Sequence, residues 1–438
     1  MLKRVKVHNY KSLVDTEVEL RPLSVLFGAN AAGKSNFLDA LQLLSGFATQ
    51  RTLKDAFLPP YRGKPLESLT FGDGGVQGLL EKESVTFSIE VDVELSQTTI
   101  DQVDRQIRDM RRARPGTGPE GKGPSAIKEP SAVKERWLRY GIEVAIRPQT
   151  GIVQVSDEYL AALTASGVPT GKRRAFLEQV QDRLHLRMEG QAHPTYHERY
   201  LDHSVLSMPL YPPHYPHLVA MRQELANWLF FYFEPRERMR APTPVREVRH
   251  IGQMGEDLAA FLNTLKAIDP VQFEAVERSL SLLIPSVTGI DVMPNSLGEV
   301  EMRLREGNTL MPARVLSEGT LRLLGLLALG GARERPTLIG FEEPENGVHP
   351  RRIRLIAEYL QTVAASGTQL IVTTHSPLLA DLIPEDSLLA CRKERGRTVM
   401  QPLAHGGLSK TGEIEAGIDA EEAGPTAGTR ILHGDFDA

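Results

Sequence analysis

The chain has 438 residues, a formal net charge of −5 and a single cysteine, Cys391. That length exceeds one compact core, so two or three structural units are expected. The mild negative charge argues against a generally basic nucleic-acid coat, and one cysteine excludes an internal disulfide framework and a thiolate metal cluster. The first residues, Met1-Leu2-Lys3-Arg4-Val5-Lys6-Val7, alternate apolar and basic side chains and read as a strand, without the apolar core of a signal peptide. The longest apolar run, Leu321 to Leu329, contains Arg322 and is too short to span a bilayer. A soluble cytoplasmic protein with no membrane partner is expected.

In chain order, Val5–Tyr10, Asp15–Leu20 and Leu23–Phe27 read as strands, and Asn36–Leu44 carries apolar residues at helical spacing. Val85–Leu95 alternates strictly and predicts a half-buried strand. Ser96 to Glu135 is rich in Arg, Lys, Gly and Pro and predicts a short helix followed by a mobile loop. Strands are expected at Tyr140–Ile146 and Gly151–Val155, then a helix over Lys172–Leu184 and an irregular piece from His193 to His217. Helices are expected at His217–Trp228, Gly255–Leu265 and Val271–Leu283. From Val300 the pattern alternates: strand Val300–Leu304, helix Glu318–Leu329, strand Thr337–Phe341, helix Pro350–Ala364, strand Gln369–Thr373. This is the βαβ rhythm of a parallel sheet. The expected organisation is an N-terminal lobe (1–95), an insertion with a basic loop and a β/helical part (96–245), a C-terminal lobe (246–405) and a polar tail (406–438).

Gly28-Ala29-Asn30-Ala31-Ala32-Gly33-Lys34-Ser35 fits G-x-x-x-x-G-K-[ST] between a predicted strand and a predicted helix. The glycines let the backbone curl so that its N–H groups face phosphate oxygens. Lys34 is expected to neutralise the β and γ phosphates and Ser35 to ligate Mg²⁺. Downstream, the apolar run Thr337–Phe341 ends in Glu342-Glu343-Pro344. Carboxylates at the C-terminal end of a parallel strand face the ligand crevice, so Glu342 is assigned to the metal and Glu343 to the attacking water. Ser317 opens the Glu318–Leu329 helix, either as a simple N-cap or as a second anion site. His375 follows the strand Gln369–Thr373 and reads either as a turn histidine or as a contact to the γ-phosphate or the water.

Taken in order, these segments resemble ABC-type ATPases. Walker A (Gly28–Ser35) comes first, then a signature (Leu316-Ser317-Glu318-Gly319) a short helix before Walker B (Leu338–Glu343), a D-loop (Asn346-Gly347-Val348-His349-Pro350) and an H-switch, His375. Val7–Leu13, Gly33–Leu41 and Glu342–Pro350 resemble the SMC/RecF/OLD group. Phe233-Glu234-Pro235 with Arg240, then Gly255-Glu256-Asp257-Leu258, resemble its stand-alone bacterial AAA family ATPases. The implied fold is α/β: an ABC-type P-loop ATPase with a mixed sheet core, an antiparallel β subdomain and a helical insertion. The resemblance implies ATP hydrolysis with Mg²⁺, nucleotide contacts from Gly28 to Asn36 and from Lys11, and a head-to-tail homodimer or higher homo-oligomer. In it the partner's Ser317, Glu318 and Gly319 close over the γ-phosphate. It further implies a switch acting on or near DNA, in repair or antiviral defence, that controls a separate nuclease or Toprim-type effector. The alternatives are an ATP-held scaffold or sensor with slow turnover, and a transporter subunit. The sequence departs from the pattern in carrying Glu342 where Walker B usually has aspartate. Its nearest Q-loop candidate is Gln77. It has no long heptad segment, and too little chain follows His375 for a nuclease domain.

Two weaker signals remain. Arg105, Arg108, Arg111, Arg112 and Arg114, with Lys122, Lys128 and Lys134, form a basic stretch that reads as a solvated helix and loop or as a DNA contact. His193, His197, His203, His214 and His217 cluster without the spacing of a zinc site and are expected in an irregular surface segment.

Overall fold

The computed structural model describes residues 1–112, 130–171, 173–189, 193–198, 200–330, 335–403 and 429. Arg114, Lys122, Lys128 and the expected tail lie outside the described residues, Thr429 excepted. The chain divides into two compact units, Met1–Leu20 with Asn36–Trp228, and Arg21–Ser35 with Leu229–Ala438. These interleaved boundaries differ from the chain-order divisions expected after residues 95 and 245.

The first unit is built on an eight-stranded antiparallel sheet. Its spatial order is Leu13–Glu19, Leu2–Tyr10, Val85–Glu94, Trp137–Arg147, Ile152–Ala162, Leu177–Val180, Arg183–Leu186 and Thr195–Glu198. The strict alternation from Val85 is explained by its place between two neighbours: Phe87, Ile89, Val91 and Val93 are all buried. The helix expected after Ser96 runs over Gln97–Arg112, burying Ile100, Val103 and Ile107 at helical spacing. Its Arg105, Arg108, Arg111 and Arg112 are exposed. The helix Pro216–Ala226 is tied to it by Gln223 Nε2 donating to Gln106 Oε1 at 3.2 Å.

The helix expected over Lys172–Leu184 is not formed. Leu177–Val180 and Arg183–Leu186 are instead antiparallel strands paired Leu177 with Leu186 and Val180 with Arg183. Gln181 turns the chain with φ of 57°. Phe176, Leu177, Val180 and Leu184 fit a helical stripe, but cross-strand pairing buries Leu177, Leu184 and Leu186, and that pairing decides the conformation. The histidines do not converge either: among the described residues no group of three His, Cys, Asp or Glu is placed to hold a metal ion. His217 is fully buried rather than at the surface. It stacks on Phe176 at 4.3 Å, and its Nε2 accepts from the Lys134 and Glu135 N–H groups at 3.1 and 2.9 Å.

A buried carboxylate organises the same unit. Glu158 accepts from Tyr140 Oη (2.9 Å), Ser204 Oγ (2.7 Å) and the Val205 N–H (2.8 Å), the last two opening a short 3₁₀ turn. Burial raises the Glu158 carboxyl above its usual range, and these donors pull the other way. Glu158→Ala leaves several buried donors without an acceptor, so urea denaturation is expected to show a loss of about 3 kcal/mol.

The second unit holds a six-stranded mixed sheet in the order Trp228–Phe231, Leu338–Glu342, Gln369–Thr374, Leu23–Phe27, Leu388–Glu394, Arg397–Pro402. Leu338–Glu342, Gln369–Thr374, Leu23–Phe27 and Leu388–Glu394 run parallel, and Arg397–Pro402 closes the sheet antiparallel. Every residue of Leu23–Phe27 and Gln369–Thr374 is buried, as expected for central parallel strands covered on both faces. Helices Leu258–Ile268, Pro270–Leu283, Glu318–Leu329 and Ile353–Ala365 supply Leu262, Leu280, Leu324 and Leu360 to one core with Phe341 and Val372. A small antiparallel sheet, Thr243–Pro244, Glu299–Glu306 and Val287–Pro294 with Thr309–Pro312, completes the unit. Among the described residues no helix is long and apolar enough to cross a membrane.

Candidate nucleotide site

Parallel strands deliver their C-terminal ends to one edge of the sheet. In the second unit Glu342 pairs with Thr373, and Thr374 with Phe27. The residues that follow these strands therefore emerge together, as in other open parallel sheets. They are the Gly28–Ser35 loop, Glu343 and His375.

The loop is shaped by backbone that other residues resist. Gly28, Ala31 and Gly33 have φ of 151°, 64° and 98°. A Cβ on Gly28 would sit 2.0 Å from the Cys391 carbonyl oxygen, so glycine alone fits there. Lys34, the first residue of the helix Lys34–Thr49, folds back over the loop. Its Nζ donates to the Gly28 and Ala29 carbonyls at 2.7 and 2.8 Å, and it is 6% exposed. Burial lowers the Lys34 ammonium below the usual lysine range, while Cys391, Glu343, Glu345 and Glu342 act against that fall. Burial pushes the Cys391 thiol up to about 12, so it stays an unreactive SH beneath the loop.

Thr398, 366 residues downstream, donates its hydroxyl to the Ala32 carbonyl at 2.9 Å and is buried. The Arg397–Pro402 strand thus braces the loop from the far end of the chain. Thr398→Val is expected to weaken ATP binding about fivefold, the worth of one hydrogen bond near 1 kcal/mol, and Thr398→Ser to restore it. Titration with a fluorescent ATP analogue measures both.

At the neighbouring strand end, Glu342 is half-buried and Glu343 has a left-handed φ of 46°, strained for a non-glycine residue. The Glu343 N–H donates to the Thr373 carbonyl at 3.0 Å, and Glu343 Oε1 lies 3.0 Å from His375 Nδ1. The two side chains are 31% and 47% exposed, so the pair is open to solvent. The turn continues with the Asn346 N–H donating to the Glu343 carbonyl and the Val348 N–H to the Glu345 carbonyl, both at 3.0 Å. Asn346 and Gly347 are exposed, Gly347 with φ of 72°.

Ser317 is an N-cap: its Oγ accepts from the Thr320 N–H at 3.1 Å, and the residue is exposed. A Cβ on Gly319 would lie 2.2 Å from the Gly347 carbonyl oxygen, which packs the helix start directly on the Asn346–Gly347 turn. Arg236 pairs with Glu318, and Arg240 Nη2 donates to the Leu316 carbonyl at 2.7 Å. Phe233 meets Phe341 edge-to-face at 4.9 Å. The Phe233–Arg240 segment therefore holds the start of the Glu318 helix from one side.

Lys11 and Asn36 belong to the first unit. Lys11 Nζ pairs with Asp39 Oδ2 at 2.6 Å, and Arg62 Nη2 reaches Asp39 Oδ1 at 2.8 Å. Asn36 Nδ2 donates to Ser12 Oγ at 2.7 Å. Gln77 is exposed on the helix Gly75–Leu80.

Sequence reasoning passed over three residues of the second unit besides Thr398. Arg322 is lowered by burial, with Glu318, Glu343 and Glu345 pulling it back up, so it lies in the field of the acidic turn. The signal was its position four residues after Glu318, on the same helix face. Glu345 and Thr374 are joined by a hydrogen bond in the interior. Glu345 is the third acid of the Glu342-Glu343-Pro344-Glu345 run, but nothing in the sequence marks Thr374 as its partner.

Comparison with known proteins bears on the family and the fold. Residues 193–381 match a family model described as "AAA domain, putative AbiEii toxin, Type IV TA system", and residues 1–139 match "AAA ATPase domain". The DNA replication and repair protein RecF of Lactococcus lactis subsp. cremoris is 31% identical over 91 residues, 20% of this chain and 23% of that protein. RecF of Gloeobacter violaceus is 40% identical over 55 residues, 12% of this chain and 15% of that protein. The chain thus spans less than a quarter of the length of the curated relatives it matches. Among solved structures, an SmcHead bound to the C-winged helix domain of ScpA aligns over 91% of this chain and 97% of that one. Its TM-score is 0.51 at 11% identity, a likeness of fold. Both family models are of AAA ATPase domains, and together with the RecF segments and the SMC-head fold they make the chain similar to the SMC/RecF-like AAA ATPases of ABC type.

Proposed function

We propose that the chain binds ATP with Mg²⁺ at the Gly28–Ser35 loop and hydrolyses it. Opening and closing a head-to-tail dimer would be the output. The observation that carries this reading is the Glu343–His375 pair at the same strand edge as the Lys34 loop.

The residues fit the ligand. Curled backbone with left-handed glycines, ending in the start of a helix, suits a polyphosphate. Mg²⁺ keeps most of its waters and needs only one or two protein oxygens beside the phosphates, which the Ser35 hydroxyl and the Glu342 carboxylate would supply. When bound, the ion would neutralise charge on the β and γ phosphates. Lys34 would hold the same oxygens. Glu343 would take a proton from the attacking water, and His375, on the other side of that carboxylate, would orient it. Asn346 and Gly347 lie on the exposed turn and would face the partner. Ser317, Glu318 and Gly319 of the second copy would present a hydroxyl and helix-start N–H groups to the γ-phosphate. Their supporting features are the exposure of Ser317 and the packing of Gly319 on the D-loop turn, so that movement of one reaches the other. The resemblance would make Lys11 a further nucleotide contact.

A DNA-linked role is supported by the RecF relatives and by the exposed Arg105, Arg108, Arg111 and Arg112. Within that role we place a switch in repair or antiviral defence that controls a separately encoded nuclease or Toprim-type effector. Steady-state phosphate release with and without DNA tests the reading. Turnover that depends on Mg²⁺ and rises with DNA is expected. ATP-dependent assembly without turnover would favour the scaffold instead.

A further inference from the structure

We propose that Glu345 is a positioning residue of this site. It fixes Thr374, and through Thr374 the adjoining His375, against Glu343. The inference rests on the hydrolysis reading above but makes a claim of its own about geometry.

Three carboxylates, Glu342 at the end of the strand and Glu343 and Glu345 in the turn after it, have different surroundings. Glu342 and Glu343 are partly exposed, whereas Glu345 is 6% exposed and Thr374 wholly buried. The Thr374 hydroxyl donates to Glu345 Oε1 and accepts the Ser376 N–H at 2.9 Å. A threonine hydroxyl has a single proton, and here it is committed to Glu345. The Glu345 carbonyl accepts the Val348 N–H at 3.0 Å, which ties the same residue to the D-loop turn. Glu345 therefore bridges two segments: the turn carrying Glu343, Asn346 and Gly347, and the strand end carrying His375.

The arrangement is costly. Glu345 Oε2 is buried without a hydrogen-bond partner. Leaving a buried polar atom unpaired is unfavourable, and an apolar residue would pack there at less cost. Burial raises the Glu345 carboxyl above its usual range, with the Thr374 hydroxyl, His375 and its own backbone opposing the rise. Lys34 and Arg322 both feel Glu345, so it sits within the charge field of the site and not in a remote core. The His375–Glu343 contact of 3.0 Å is between side chains 47% and 31% exposed, and such a solvent-accessible pair holds its geometry best when its backbone is fixed from behind.

The experiment compares Glu345→Leu, Glu345→Gln, Thr374→Val and Thr374→Ser in the full chain. Glu345→Leu and Thr374→Val each remove the hydrogen bond and are expected to lower kcat about tenfold while KM for ATP stays within about twofold. Glu345→Gln keeps the acceptor and Thr374→Ser keeps the donor, so both are expected to retain most of kcat. The Leu/Val double variant is expected to be no slower than the poorer single one. In ¹⁵N-histidine-labelled protein, the His375 imidazole signals, assigned with His375→Asn, should shift in the Leu and Val variants and not in Gln or Ser. Equal losses in Gln and Leu, additive losses in the double variant, or unmoved His375 signals would overturn the inference. If the wild-type chain has no turnover the hydrolysis reading fails, and the His375 signals then decide this inference alone.

Discussion

Glu343→Gln is expected to reduce ATP turnover by about 10² to 10⁴-fold, the range of a lost general base, while ATP still binds. The carboxylate is partly open to solvent and 3.0 Å from His375 Nδ1, and the amide is of nearly the same size. The amide keeps the shape and an acceptor oxygen but takes no proton. Because the strained backbone at Glu343 is set by its N–H bond to the Thr373 carbonyl, the substitution should leave the turn in place. The same variant should dimerise more persistently on ATP than the wild type, since the contacts to the γ-phosphate would outlast it. Sedimentation with and without ATP, beside a phosphate-release assay, reads both effects. Unchanged turnover would remove Glu343 from the chemistry.

Lys34→Ala is expected to act earlier, on binding. Lys34 bridges the Gly28 and Ala29 carbonyls from the first turn of the helix and supplies the loop with its buried positive charge. Its loss leaves both the loop carbonyls and an incoming phosphate without their donor. Charged hydrogen bonds contribute up to about 3 kcal/mol each, so ATP affinity should fall by about 10²-fold or more. Calorimetric titration of ATP measures the change. Thermal unfolding without nucleotide should shift by only a few degrees, which separates a binding defect from a folding one.

The parts of the site that could be read from the sequence are those in which function and local structure share a few consecutive residues. Gly28–Ser35 announces itself because the curled loop needs its glycines and its lysine in fixed order. The Glu318–Leu329 helix was bounded correctly because Ser317 caps it and the leucines repeat at helical spacing. Strand ends at Phe27, Phe341 and Thr373 were legible as buried apolar runs; the last two strands run one residue further, to Glu342 and Thr374, and parallel pairing brings all three ends to one edge. What the sequence hides is partnership across the chain. The Thr398–Ala32 bond joins residues 366 apart, and no local pattern marks it. The hairpin at Leu177–Leu186 was read as a helix because a short apolar run fits both periods until its partner strand is known. Val287–Pro294 and Thr309–Pro312 were passed over because they become strands by pairing with Glu299–Glu306. Arg322 looked like an interruption in an apolar helix, and its role in the electrostatics of the acidic turn appears only when Glu343 and Glu345 are placed beside it.

The central claim is that a complete site draws its phosphate loop from one copy and its signature from another. Mixing two inactive variants, Lys34→Ala and Ser317→Arg, tests it most directly. In a mixed head-to-tail dimer one site combines the intact loop of the Ser317→Arg chain with the intact signature of the Lys34→Ala chain. ATP turnover should then reappear on mixing and approach a fraction of the wild-type rate set by the share of mixed dimers. Mixed dimers that form and stay inactive, beside an active wild type, would contradict the account.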